Sequence, residues 1–149
     1  MSGPGVERLP QGLFQEPAEG GSVNHAILYI EDNENNIALV KAVLKRRPHI
    51  ELHVAMNGRD GVQAAIGKRP GLILLDNRLP DATGGEMLRE LAATPATAGI
   101  PVVVLSGDSG DLIDELLAAG AAEFVGKPFD IHQFMAIIDR YLPDDPESR

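Results

Sequence analysis

Two spacings of apolar residues alternate along this chain. Ala26-Ile27-Leu28-Tyr29-Ile30 is a short apolar run, after which Ile37, Val40 and Leu44 recur on one helical face. Pro48 fits a stop just past that helix. Residues 51–55 alternate weakly and predict a second strand. Asn57-Gly58 marks a turn, and residues 59–68 return to helical spacing with Val62, Ala65 and Ile66 facing inward. Leu72-Ile73-Leu74-Leu75 predicts a third strand, apolar at every position, and Val102-Val103-Val104-Leu105 a fourth of the same kind. Between them, after a long loop, a helix is expected from Gly84 to Ala93. Ile113, Leu116 and Leu117 mark the next helix, and Ala122 to Val125 a fifth, shorter strand. A last helix runs from about Asp130, with Ile131, Phe134, Ile138 and Leu142 on its buried face.

Strands that are apolar on both faces belong in a parallel sheet covered on both sides. Five strand–helix units of this length predict one open, doubly wound α/β domain over residues 24–142. Residues 1–23 carry five glycines and three prolines and read as an arm or linker, in which Val6, Leu9, Leu13 and Phe14 could form a short docking stripe. Residues 143–149 read as a polar, flexible tail.

Composition narrows the chemistry. The chain has no cysteine, which removes disulfides, thiolate catalysis and cysteine-based zinc sites. No apolar run approaches the roughly 20 residues of a bilayer span, and no signal-peptide core follows the N-terminus, so a cytoplasmic protein is expected. Of the net charge of −9, the stretch 24–142 carries −5, which disfavours nucleic acid as a partner. Lys45, Arg46 and Arg47 form the one basic cluster, read as complementing a helix C-terminus or as a docking patch.

In such sheets ligands gather at the carboxyl ends of the strands. After the first apolar run come Glu31 and Asp32, after the third Asp76, after the fourth Ser106 and after the fifth Lys127. Singly, an acid or serine there is a helix cap or a solvated turn. Together, clustered carboxylates call for a cation, and oxygen-only ligands favour Mg²⁺. A lysine suits a phosphoryl oxygen, a serine hydroxyl suits another, and an aspartate can form an acyl phosphate.

These residues, with Leu79-Pro80 before Gly84 and Phe124-Val125-Gly126-Lys127-Pro128-Phe129, resemble the response-regulator receiver family of two-component signalling. The likeness covers residues 25–142. It implies a flavodoxin-like fold with strand order 2-1-3-4-5, and Asp76 as the phospho-acceptor. It implies Mg²⁺ or Mn²⁺ held by Glu31, Asp32, Asp76 and the main-chain carbonyl of Arg78. Ser106 would be the switch hydroxyl, Lys127 the phosphoryl-binding lysine and Phe124 the aromatic switch residue. The Lys127–Pro128 bond would be cis. The implied partners are a histidine kinase or histidine phosphotransfer protein and a downstream protein target, with neither nucleic acid nor membrane involved. Such a domain catalyses its own phosphorylation and dephosphorylation and is not a conventional enzyme. Glu31 departs from the commoner aspartate and lengthens the arm, and Phe124 stands where many members have tyrosine. Arg78 and Asp108, two residues beyond Asp76 and Ser106, are expected to approach over the site.

Other readings fit less well. A haloacid-dehalogenase-type phosphatase needs an acid where Arg78 stands, and a dinucleotide-binding domain needs glycines where Glu31 to Glu34 stand. A receiver-like binding module that works without phosphorylation remains the alternative. The chain reads either as a stand-alone receiver or as the receiver of a hybrid histidine kinase.

Overall fold

The computed structural model describes residues 25–107, 111–127 and 130–143. The expected arm, most of the expected tail, Asp108 and the Lys127–Pro128 bond lie outside the described residues. The strands are β1 (Ala26–Ile30), β2 (Glu51–Ala55), β3 (Leu72–Asp76), β4 (Val102–Ser106) and β5 (Glu123–Gly126). The helices are α1 (Glu34–Leu44), α2 (Gly58–Lys68), α3 (Gly84–Ala93), α4 (Asp111–Ala118) and α5 (Ile131–Tyr141). All strand pairs are parallel and the sheet order is β2-β1-β3-β4-β5, as expected.

Burial follows position in the sheet. In the three inner strands β1, β3 and β4 every residue is buried, because helices cover both faces. The edge strands β2 and β5 are only partly buried, which is why residues 51–55 alternate so weakly. One face buries Ile27, Tyr29, Leu74 and Leu105 against α1 and α5. The other buries Leu28, Ile30, Ile73 and Val104 against α2, α3 and α4. On α5, Phe134, Ile138 and Leu142 are buried as the periodicity predicts, but Ile131 is 38% exposed. It opens the helix at the carboxyl edge of the sheet, before the helix reaches the strands it packs on.

Helix starts carry their own signals. Asn33, Asn57 and Asp130 accept first-turn N–H groups with their side chains at α1, α2 and α5. Thr83 and Glu86 form a reciprocal capping box at α3. The Arg47 guanidinium takes both carboxylate oxygens of Asp139 on α5, at 2.7 and 2.8 Å. The basic cluster therefore ties the turn after α1 to α5, a link that its position in sequence did not reveal.

Two glycines of α2 make opposite predictions. A Cβ on Gly61 would stand 2.7 Å from Ile30 Cδ1 and 3.0 Å from both Cγ atoms of the same buried side chain. Overpacking of this kind costs about 1–3 kcal/mol, more than the roughly 1 kcal/mol a helical alanine gains. Gly61→Ala is therefore expected to lower stability, by up to about 2 kcal/mol net. Gly67 is exposed with no atom within 4 Å, so Gly67→Ala should raise stability by about 0.5–1 kcal/mol. Urea unfolding of both variants checks the pair, and equal signs would contradict the packing seen between α2 and β1.

Candidate functional site

The strand order reverses between β1 and β3, which lie side by side although β2 separates them in sequence. Ile30 is paired with Leu75, so Glu31 and Asp76, the next residue of each chain segment, emerge together at that crevice. Ser106 follows from the pairing of Asp76 with Leu105, and Lys127 is drawn in by its main-chain N–H donating to the Ser106 carbonyl at 2.8 Å. An open cleft of about 430 Å³ results, lined by Glu31, Asp32, Asp76, Arg78, Ser106 and Lys127 among others. Phe124 does not line it. It is half-buried on the α2–α4 face, paired in register with Val104, one strand repeat below Ser106.

The electrostatics centre on one ammonium. Lys127 Nζ donates to Glu31 Oε1 and Asp76 Oδ1, both at 3.1 Å. Glu31 is 1% exposed, and Asp76 and Ser106 are buried, while Asp32 is exposed. Burial opposes the ionised form of Glu31, but the Lys127 charge and donors from Lys127, Tyr29 and Asn33 outweigh it and hold the carboxyl low. Burial and the neighbouring Glu31 charge push the Asp76 carboxyl up in spite of Lys127. For Lys127, burial is overcome by the Asp76 and Glu31 carboxylates, so its ammonium is held above the usual range. The shared lysine thus favours Glu31, which has more donors, over Asp76.

The loop from Asn77 to Thr83 is held on both sides. Leu79 N–H donates to Ala82 O at 3.1 Å, and Gly84 N–H donates to Asn77 O at 2.9 Å. At its tip the Asp81 carboxylate accepts the N–H groups of Gly58 at 2.6 Å and Arg59 at 3.0 Å, bonds that also hold that carboxyl low. The loop that follows Asp76 is thereby fastened to the N-terminus of α2, a link absent from any local sequence pattern.

The carboxylates of Glu31, Asp32 and Asp76 place one oxygen each within 4.8 Å of one another. Three acids against one ammonium leave excess negative charge, and an oxygen-only donor set of this kind fits a hard divalent cation. Two further groups touch Glu31 without being picked out in the sequence as site residues. Tyr29 donates its hydroxyl to Glu31 Oε1 at 2.9 Å, and the Asn36 amide approaches the same oxygen at 3.4 Å. A usable signal existed for Tyr29: a phenol in a wholly buried strand needs a partner, and residues two apart share a face.

A family model described as the response regulator receiver domain matches residues 27–139. The response regulator PleD of Caulobacter vibrioides is 36% identical over 106 residues, 70% of this chain and 23% of that protein. Hybrid signal transduction histidine kinase G of Dictyostelium discoideum is 31% identical over 121 residues, 78% of this chain and 4% of that protein. The chain thus spans less than a quarter of either curated relative. A receiver domain of a sensor histidine kinase from Pseudomonas aeruginosa, solved with a magnesium ion coordinated in its active-site cleft, superposes with a TM-score of 0.71. It is 28% identical, with 82% of this chain and all of that one covered.

Proposed function

This chain belongs to the response regulator receiver domain family, and we propose that it is a phospho-acceptor switch whose acceptor is Asp76. The observation that carries the reading is the meeting of Asp76 with Lys127 at 3.1 Å inside a cluster of three carboxylates. Glu31, Asp32, Asp76 and the main-chain carbonyl of Arg78 would hold Mg²⁺ or Mn²⁺. When bound, the cation neutralises charge on the phosphoryl oxygens.

The donor is a phosphohistidine of a histidine kinase or a histidine phosphotransfer protein. An Asp76 carboxylate oxygen attacks phosphorus, the phosphorus–nitrogen bond breaks, and its electron pair stays with the imidazole, leaving an aspartyl phosphate. Lys127 leaves its bridge to hold one phosphoryl oxygen, and the Ser106 hydroxyl donates to another. Ser106 moving toward the phosphoryl group vacates space beside Val104, which the Phe124 ring can fill. That shift alters the α4–β5–α5 surface read by a downstream protein.

Intact mass tests this. Incubation with acetyl phosphate and Mg²⁺ is expected to add one phosphoryl group, and a chelator to prevent the gain. A chain that neither gains the group nor binds beryllofluoride with Mg²⁺ is a constitutive binding module, and the switch reading fails.

A further inference from the structure

Tyr29 is 0% exposed, in the middle of β1, with its ring among the apolar side chains packed beneath α1 and α5. A buried phenol left unpaired would cost stability, and a phenylalanine would fill the same space without that demand. Its hydroxyl instead reaches along the strand to Glu31 Oε1 at 2.9 Å. Nothing in the sheet requires this bond, because both residues complete their strand pairing through the main chain.

Of the acid pair formed by the adjacent Glu31 and Asp32, Glu31 has the longer arm, and a longer arm has one more rotatable bond to restrain. Four donors restrain it. Oε1 takes the Tyr29 hydroxyl at 2.9 Å, Lys127 Nζ at 3.1 Å and the Asn36 amide at 3.4 Å. Oε2 takes the Asn33 N–H at 3.2 Å. Three of the four belong to surface-facing or functional parts of the site: Lys127 is also bonded to Asp76, Asn33 caps α1, and Asn36 lies in the first turn of that helix. Tyr29 alone anchors the carboxylate from below, in the close-packed interior, where its position cannot drift.

We propose that Tyr29 is a positioning residue for the cation site, holding Glu31 Oε1 so that the acid pair is set for a divalent cation before one arrives. The inference rests on the receiver reading above. Hydrogen bonds of this outer kind are worth about 10–100-fold in metal affinity when removed. Because two other donors share Oε1, the loss in Tyr29→Phe is expected near the lower end, about 10-fold in Mg²⁺ affinity by calorimetry.

The composition provides a second readout. The chain has two tyrosines and no tryptophan, so Tyr141→Phe leaves Tyr29 as the sole fluorophore of its kind. A phenol bonded to a carboxylate is quenched, and a cation that draws on that carboxylate relieves the quenching. Titrating Mg²⁺ into Tyr141→Phe should therefore raise emission with the half-saturation that calorimetry gives for the wild-type chain, a response that a merely space-filling tyrosine would not show. Unchanged Mg²⁺ affinity in a folded Tyr29→Phe, or silent emission while Mg²⁺ binds, overturns the proposal. Were Tyr29→Phe not to fold, the emission of Tyr141→Phe decides alone. A wild-type chain that binds no Mg²⁺ at all overturns the receiver reading itself, and this inference with it.

Discussion

Asp76→Asn is expected to keep its unmodified mass under acetyl phosphate and Mg²⁺ for as long as the wild-type chain is observed to gain a phosphoryl group. An amide oxygen is too poor a nucleophile to replace the carboxylate, so the loss is complete rather than partial. The same variant should melt higher than wild type in chelator at neutral pH. In the folded chain Asp76 is buried, and its carboxylate stands near that of Glu31 with one ammonium between them. Burial and the Glu31 charge together raise its pKa. A raised carboxyl pKa means stability that is fully present below the usual aspartate range and is lost as pH rises through the folded value. Wild type therefore carries this penalty at neutral pH and the asparagine does not. The advantage should shrink as pH falls toward about 4, where aspartate takes up its proton in both states. A variant that melts lower than wild type at neutral pH would show that the Lys127 bond to Asp76 outweighs the repulsion.

Lys127→Ala is expected to slow phosphorylation by acetyl phosphate about 10²–10³-fold, the usual effect of deleting one donor to a developing anionic oxygen. It should also destabilise the chain in chelator by about 3 kcal/mol, because removing one partner of a buried pair strands the other charge. The lysine side chain is 20% exposed, so the lower end of the usual range for such losses applies. Glu31 bears most of this, being fully buried and held ionised by that same lysine. Adding Asp76→Asn to Lys127→Ala should recover part of the stability, since one carboxylate then remains at the crevice instead of two. Thermal melts of the four chains in chelator form the double-mutant cycle, and strict additivity would deny the coupling among Glu31, Asp76 and Lys127.

The legible part of this molecule is the part written in neighbouring residues. Leu72 to Leu75 and Val102 to Leu105 announce inner strands because a strand covered on both faces has no polar position to offer. The helix caps Asn33, Asn57 and Asp130 sit where a short polar side chain meets the first unsatisfied N–H groups, so chemistry and position coincide. The acids, serine and lysine that meet at the cleft each stand one or two residues past an apolar run, which parallel topology places on one rim.

What the sequence left open depends on distance along the chain. Periodicity identifies the inward face of α5 through Phe134 and Ile138, yet it assigns Ile131 to the same face, because the extent of the sheet beneath a helix is a property of the sheet. Arg47 reads as one member of a basic run, and only the packing of α1 beside α5 brings Asp139 to it. Asp81 sits unremarked in the long loop before Gly84, and only the folded loop brings its carboxylate to the N–H groups of Gly58 and Arg59.

By itself, then, the sequence determined the element order, the parallel inner strands, and the set of polar groups at their carboxyl ends, since all of these follow from local period and chain direction. Only the tertiary structure decided that one lysine serves both Glu31 and Asp76 and that Tyr29 anchors Glu31 from the core. Hydrogen bonds reach about 3 Å, and which groups come that close is settled by how the strands and helices pack, not by how they are spelled.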